Sequence, residues 1–323
     1  MQTSIRHLLG DLVSILKDAL RVYLTLLKIL IPALLIVKGF ELLGVIGWFG
    51  TALAPLMGVL GLPEQMGVVW AAALFTNLYT AIAVFLQVAG DMHLSIEQVT
   101  VLGALMLVGH SIHVEGAVAK RAGVPWWATL VLRVGGALLL AWLLHCFYSY
   151  FGLLQAPAAL VWQPSLSTAP TISSWAIAQL ETLALIFVII LALIVLLKLL
   201  KKLGLERWIH LGLLPLLKLL GIGRSAANVT VIGFTLGLSY GAGLLIRDVQ
   251  NDTLSKRDST LALCFLGLCH SVIEDTLLIL MLGADIAGIL WARLLFAVIV
   301  TAMIARWPKT TINNQVGKYT GYH

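Results

Sequence analysis

Long apolar runs separated by short polar breaks fill this chain, and nowhere do apolar and polar residues alternate for long. Continuous runs predict helices, whereas a transmembrane β-barrel would need alternation at every second residue. Ten apolar segments can be cut: 22–37, 39–60, 64–89, 98–118 and 125–150, then 176–197, 204–220, 225–246, 259–280 and 286–306. Residues 1–21 contain acids and no small-residue cleavage site, so they read as an amphipathic helix on the cytoplasmic membrane surface rather than a signal peptide. The pattern divides the chain into that N-terminal segment, a membrane unit at 22–150, a Pro- and Ser-rich linker at 151–173, a second membrane unit at 174–306 and a polar tail at 307–323.

Composition sharpens this picture. The 323 residues are 60% hydrophobic and 11% charged, against a charged share of about 25% in globular domains. With a mean hydropathy of +0.99, the chain is not a cytosolic enzyme, a secreted disulfide scaffold or a disordered regulator. Its net charge of +6 comes from basic residues that flank apolar segments, which orients a membrane protein and argues against nucleic acid as a partner. Cys146, Cys264 and Cys269 form no CxxC pair and read as small core residues.

The strongest signal is an internal repeat. At an offset of 160, Lys38 falls on Lys198, Gly44 on Gly204, Trp48 on Trp208, Pro55 on Pro215 and Gly61 on Gly221. Leu94-Ser95 meets Leu254-Ser255, Thr100 meets Thr260, His110-Ser111 meets His270-Ser271, Gly123 meets Gly283 and Arg133 meets Arg293. Leucine matches are cheap in so apolar a chain, but coincidences of rare residues at one fixed offset are not.

The charges then orient the two copies. No Asp, Glu, Lys or Arg occurs from Val134 to Leu180, which fits an external linker. With Arg6, Lys17 and Arg21 inside, five crossings per half keep Lys120, Arg121, Lys198, Lys201, Lys202, Arg247, Lys256, Arg257, Arg306 and Lys309 inside, and Asp91, Glu97 and Asp285 outside. Four crossings per half would expel the cluster at 198–202. An odd number of crossings inverts the second copy relative to the first, as in secondary transporters, whose sites lie near the midplane between the copies. The expected fold is therefore all-α: a polytopic membrane protein of about ten helical segments in two inverted-topology repeats of five. Segments 39–60 and 204–220, each with a central proline, could instead be interfacial or re-entrant.

Polar residues inside apolar spans cost about 2.5–3.5 kcal/mol each on insertion scales and call for a reason. The fourth segments carry the densest cluster, GHSIHVEGAVAKRAG and CHSVIEDTLLILMLG, in which His110, Ser111 and Glu115 match His270, Ser271 and Asp275. Spacing i, i+4 would put His270 and Glu274 on one helix face, and His110 and His113 also share a face. Three readings stand open: helix-to-helix glue, a site for a hydroxylated or cationic solute, and a divalent-metal or proton path, with His110, His113, His270 and Glu274 as metal ligands. The third segments crowd Asn, Thr, Ser, Tyr and Gly into mid-span, so Asn77, Thr80, Ser239 and Tyr240 either line a site or, with Gly237, Gly241 and Gly243, serve close packing. Arg133 and Arg293 read as structural ion-pair partners of acids in their own repeat. Trp126, Trp127, Trp175 and Trp307, at segment ends, read as interfacial anchors.

The motifs CHSVIEDT and GHSIHVEG, with GIGRSAANVTVIGFTLGLSYG, resemble the nucleoside-recognition or Gate-domain membrane proteins. That group includes uncharacterised prokaryotic proteins and the spore maturation proteins, and related segments occur in concentrative nucleoside transporters and the bacterial ferrous-iron transporter. The resemblance covers roughly residues 38–300. It implies a Gate repeat in inverted tandem that moves a small, nucleoside-like solute. No GxxxxGK[ST] occurs, so a self-contained GTP-driven transporter is excluded.

The expected function is transport of a small polar solute across a prokaryotic inner membrane, with both termini cytoplasmic, by a protein that is not an enzyme. The site would comprise Asn77, Thr80, His110, Ser111, Glu115, Ser239, Tyr240, His270, Ser271, Glu274 and Asp275. No cofactor is expected beyond a coupling H+ or Na+, and the partners are the lipid bilayer and the solute, with a homodimer left open. The alternatives are a divalent-metal permease, a membrane-embedded metalloenzyme (though HExxH is absent) and a non-transporting assembly scaffold.

Overall fold

A computed structural model describes residues 2–89, 92–160, 171–236, 245–246, 248–249 and 254–306. The first half consists of α1 (Gln2–Leu42), α2 (Val45–Val59), α3 (Met66–Phe75), α4 (Leu78–Val88), α5 (Ile96–Gly109), α6 (Ile112–Arg121), α7 (Trp126–Leu130) and α8 (Gly136–Phe151). A π-helical turn, Val131–Gly135, joins α7 to α8. In the second half the described elements are α9 (Ile172–Lys202), α10 (Leu205–Leu219), α11 (Arg224–Leu236), α12 (Lys256–Leu268), α13 (Val272–Leu280), a π-helical turn Ala287–Ala292 and α14 (Arg293–Arg306). Among the described residues the only β element is one isolated bridge, Ser95 to Pro157.

Among the described residues, six stretches are long and apolar enough to cross a membrane: Val13–Phe40, Ile96–Arg121, Trp126–Phe151, Ile172–Leu200, Lys256–Leu280 and Ala287–Arg306. The chain is thus an all-helical polytopic membrane protein. The first span begins within the segment read as a surface helix, because α1 runs unbroken from Gln2 to Leu42. Segments 39–60 and 204–220 form α2 and α10, of 15 residues each. At 1.5 Å per residue each is about 22 Å long, short of the ~30 Å hydrocarbon core. Segment 64–89 is two short helices that fold back on each other about Thr76–Asn77. Of its counterpart, α11 is described, while Gly237, Ser239, Tyr240, Gly241 and Gly243 lie outside the described residues. So do Asp91, Arg247, Trp307, residues 161–170 of the linker and the tail 307–323.

The spans form two layers. Ile96–Arg121 and Lys256–Leu280 are largely buried, whereas the other four expose much of their surface. The outward faces carry Val131, Trp142, Phe147, Trp291, Leu295 and Met303, a surface suited to lipid rather than water. Cys264 and Cys269 are buried as expected, but Cys146 faces outward on α8.

The two first helices, α1 and α9, run antiparallel around Leu30, Leu34, Ile186 and Ile190. Asp18 pairs with Lys198 at one end (2.9 Å), and Lys38 lies over the Trp175 ring at the other (6.0 Å). Between them Tyr23 donates its hydroxyl proton to the carbonyl of Leu183, its own repeat equivalent. The start of the linker is strapped back onto α5: the N–H groups of Ile96 and Glu97 donate to the carbonyls of Ala156 and Leu154, and Ala158 N–H to that of Leu94. Glu97 accepts from Gln155 and pairs with His145 of α8.

Candidate functional site

The site is built where both inner spans break. Helix α5 opens with a capping box, in which Ser95 and Gln98 bond each other's backbone, and ends at His110. Ser111 then adopts φ 51°, ψ 36°, a left-handed conformation, before α6 restarts. Its equivalent Ser271, with φ 46° and ψ 39°, separates α12 from α13 in the same way. A left-handed residue other than glycine costs about 1–2 kcal/mol, so neighbours must hold it. Ser111 N–H donates to the carbonyl of Ala73 (2.9 Å) and its hydroxyl to that of Thr76 (2.7 Å), at the apex of the α3–α4 hairpin. Ser271 N–H donates to the carbonyl of Gly233 (3.4 Å), the repeat equivalent of Ala73.

The breaks bring two imidazoles together. His110 Nδ1 lies 3.1 Å from the Met106 carbonyl and His270 Nδ1 2.7 Å from the Leu266 carbonyl. A carbonyl only accepts, so each Nδ1 carries a proton and each ring turns its Nε2 away from its own helix. Those two Nε2 atoms face each other at 3.3 Å. Glu115 Oε1 lies 3.2 Å from His270 Nε2 and 3.7 Å from His110 Nε2. Asp275 Oδ2 lies 3.9 Å from His110 Nε2. All four residues are buried, and Asp275 Oδ2 has no hydrogen-bond partner.

Two arginines brace this centre and are among the largest wholly buried side chains. Arg133 binds Glu115 Oε2 and donates to the carbonyls of His110 (2.6 Å) and Gly267 (2.8 Å). Arg293 donates to the carbonyl of His270. Each guanidinium thus satisfies a carbonyl at a helix break, a group that would otherwise be unpaired in an apolar interior.

The predicted residues divide as follows. His110, His270, Glu115 and Asp275 converge, although the helical-face argument favoured Glu274. The left-handed serine explains the difference: it cancels the i, i+4 register, so Glu274 turns away and accepts the hydroxyl of Tyr79 (2.7 Å). His113 is exposed and apart from the cluster. Asn77 caps α4 by accepting from Thr80 N–H (3.0 Å), with the Thr80 hydroxyl 3.3 Å away, so both residues shape the hairpin apex. Ser111 and Ser271 set the backbone breaks. Arg133 pairs with Glu115 as expected, but Arg293 makes no ion pair with Asp275 among the described residues, because that guanidinium is directed to the His270 carbonyl. Tyr79 escaped sequence reading; its signal was a phenolic hydroxyl two residues from Asn77 within an apolar run.

Compared with known proteins, the chain is 31% identical over 306 residues to the uncharacterized membrane protein YvoD of Bacillus subtilis, covering 91% of this chain and 94% of the relative. No family model matches the chain. No solved structure matches it.

Proposed function

The chain belongs to the family of that Bacillus subtilis membrane protein, and from this premise we propose that it is a transporter of a small polar solute, built as two inverted Gate-like repeats with the site between them. The observation that carries the reading is the meeting of His110 and His270, equivalent residues at equivalent helix breaks, in one buried polar centre. Breaks in paired spans, with half-helix ends directed at a midplane site, are how secondary transporters expose backbone and charge to a solute.

The contacts also support the inversion. Positions 160 residues apart meet directly at His110–His270 and Tyr23–Leu183, as contacts on a two-fold axis do. The antiparallel α1–α9 pair is what such an axis produces when it lies in the membrane plane. On this reading the six candidate spans among the described residues give three crossings to each half, with α2 and α10 at the interfaces and the α3–α4 hairpin re-entrant. Three crossings, like five, are odd and give inverted copies. The arrangement leaves Lys120, Arg121, Lys198, Lys202, Arg207, Lys218, Lys256, Arg257 and Arg306 inside, with Glu64, Glu97 and Asp285 outside.

Uptake into proteoliposomes tests the function, with labelled nucleosides, small organic anions and divalent metal ions offered in turn. Wild type is expected to take up one class, and His110→Ala/His270→Ala to lose at least tenfold of that rate (about 1.4 kcal/mol in the barrier) while still folding. Wild-type uptake by the double variant would overturn the assignment.

A further inference from the structure

We propose that His110 Nε2, His270 Nε2 and Glu115 Oε1 form a three-donor site for a divalent transition-metal ion, with Asp275 Oδ2 beside it. The inference rests on the transport reading only in making that ion the cargo; the site itself stands on its own geometry.

The first argument is the histidine tautomer. With both Nδ1 protons committed to backbone carbonyls, the two Nε2 atoms face each other at 3.3 Å beside the carboxylate oxygens of Glu115 and Asp275. Such a set of nitrogen and oxygen donors is held together by a shared cation, a metal ion or a proton. The second argument is the spacing. Bonds of about 2.0–2.1 Å at tetrahedral angles put neighbouring ligand atoms about 3.3 Å apart. The observed separations are 3.3 Å between the imidazoles, 3.2 and 3.7 Å from them to Glu115, and 3.9 Å from His110 to Asp275. Reactive atoms of His110, His270 and Glu115 all lie within 4.8 Å of one another. The third is the orphan: Asp275, 6% exposed, presents an oxygen without a hydrogen-bond partner, and an unpaired buried carboxylate oxygen calls for a ligand.

The surroundings match those of a metal ligand set. Each histidine is fixed through its distal nitrogen, and the second oxygen of Glu115 is held by Arg133, which leaves Oε1 free as a single donor. Two imidazoles exclude Mg2+ and Ca2+, which prefer all-oxygen shells, and select ions such as Zn2+ or Co2+. Three protein donors leave the fourth tetrahedral position to water.

The test uses untagged full-length protein in detergent, titrated with Co2+ and Zn2+. Expected are about one ion per chain, the intense visible absorption of tetrahedral Co2+, and a melting temperature raised by either ion. His270→Gln should weaken binding at least tenfold and His110→Gln/His270→Gln should abolish it, whereas His210→Ala, in the middle of α10 against Asn228, should bind as wild type. If the double variant does not fold, His270→Gln carries the test. Folded wild type that binds neither ion, or variants that bind as tightly as wild type, would overturn the proposal and assign the imidazole pair to a shared proton. A bound ion that liposome-reconstituted protein does not move would leave this site standing and defeat the transport reading. Uptake of a nucleoside without metal binding would do the reverse.

Discussion

Arg133 shows how a single residue carries three duties at a helix break. It neutralises Glu115, pairs the His110 carbonyl and reaches across to Gly267 in the other half. Removing one member of a buried ion pair leaves the other charged and unpaired, at a typical cost of about 3–5 kcal/mol. Arg133→Ala is therefore expected to destabilise the protein by about that amount, seen as a lower denaturant midpoint in detergent; an unchanged midpoint would show that Glu115 finds another partner. At this scale the sequence was informative about chemistry and blind to register. Duplicated His, acid and Arg positions pointed to the centre, but which acid faces the imidazoles depends on two left-handed serines that no helical spacing reveals. Tyr79 was hidden for a related reason, since its partner Glu274 comes from the other half of the chain.

Among the elements, glycines that end helices show how equivalent backbones meet different surroundings. Gly123 ends α6 at φ 88° with open space about it, whereas its equivalent Gly283, at φ 87°, has the Ala159 carbonyl of the linker where a Cβ would lie (2.8 Å). A left-handed alanine costs about 1–2 kcal/mol at either position. Gly283→Ala should cost measurably more than Gly123→Ala and displace the linker, detectable as faster proteolysis at 151–160 together with a lower melting temperature. Equal losses at the two positions would show that the linker does not pack there. Periodicity found the long helices at this scale, but not the fold-back at Thr76–Asn77. A run of apolar residues looks alike whether it crosses the bilayer or turns within it, and only the Asn77 cap and the bonds from Ser111 distinguish the two.

For the whole molecule, the offset of 160 and the charge-free linker were legible before any coordinates, and the six candidate spans among the described residues divide three and three between the halves. Which apolar segments are long enough to cross was less legible, because α2 and α10 are apolar yet only 15 residues each. The central claim is that the two halves are inverted copies, and equivalent residues on opposite faces of the membrane are its direct consequence. Lys38 and Lys198 are such a pair, at the same end of α1 and α9. In a background with Cys146, Cys264 and Cys269 replaced, single Lys38→Cys and Lys198→Cys variants would be treated in intact cells with a membrane-impermeant thiol reagent. The account predicts that Lys38→Cys is labelled from outside and Lys198→Cys only after the cells are opened; labelling of both from the same side would contradict the inversion.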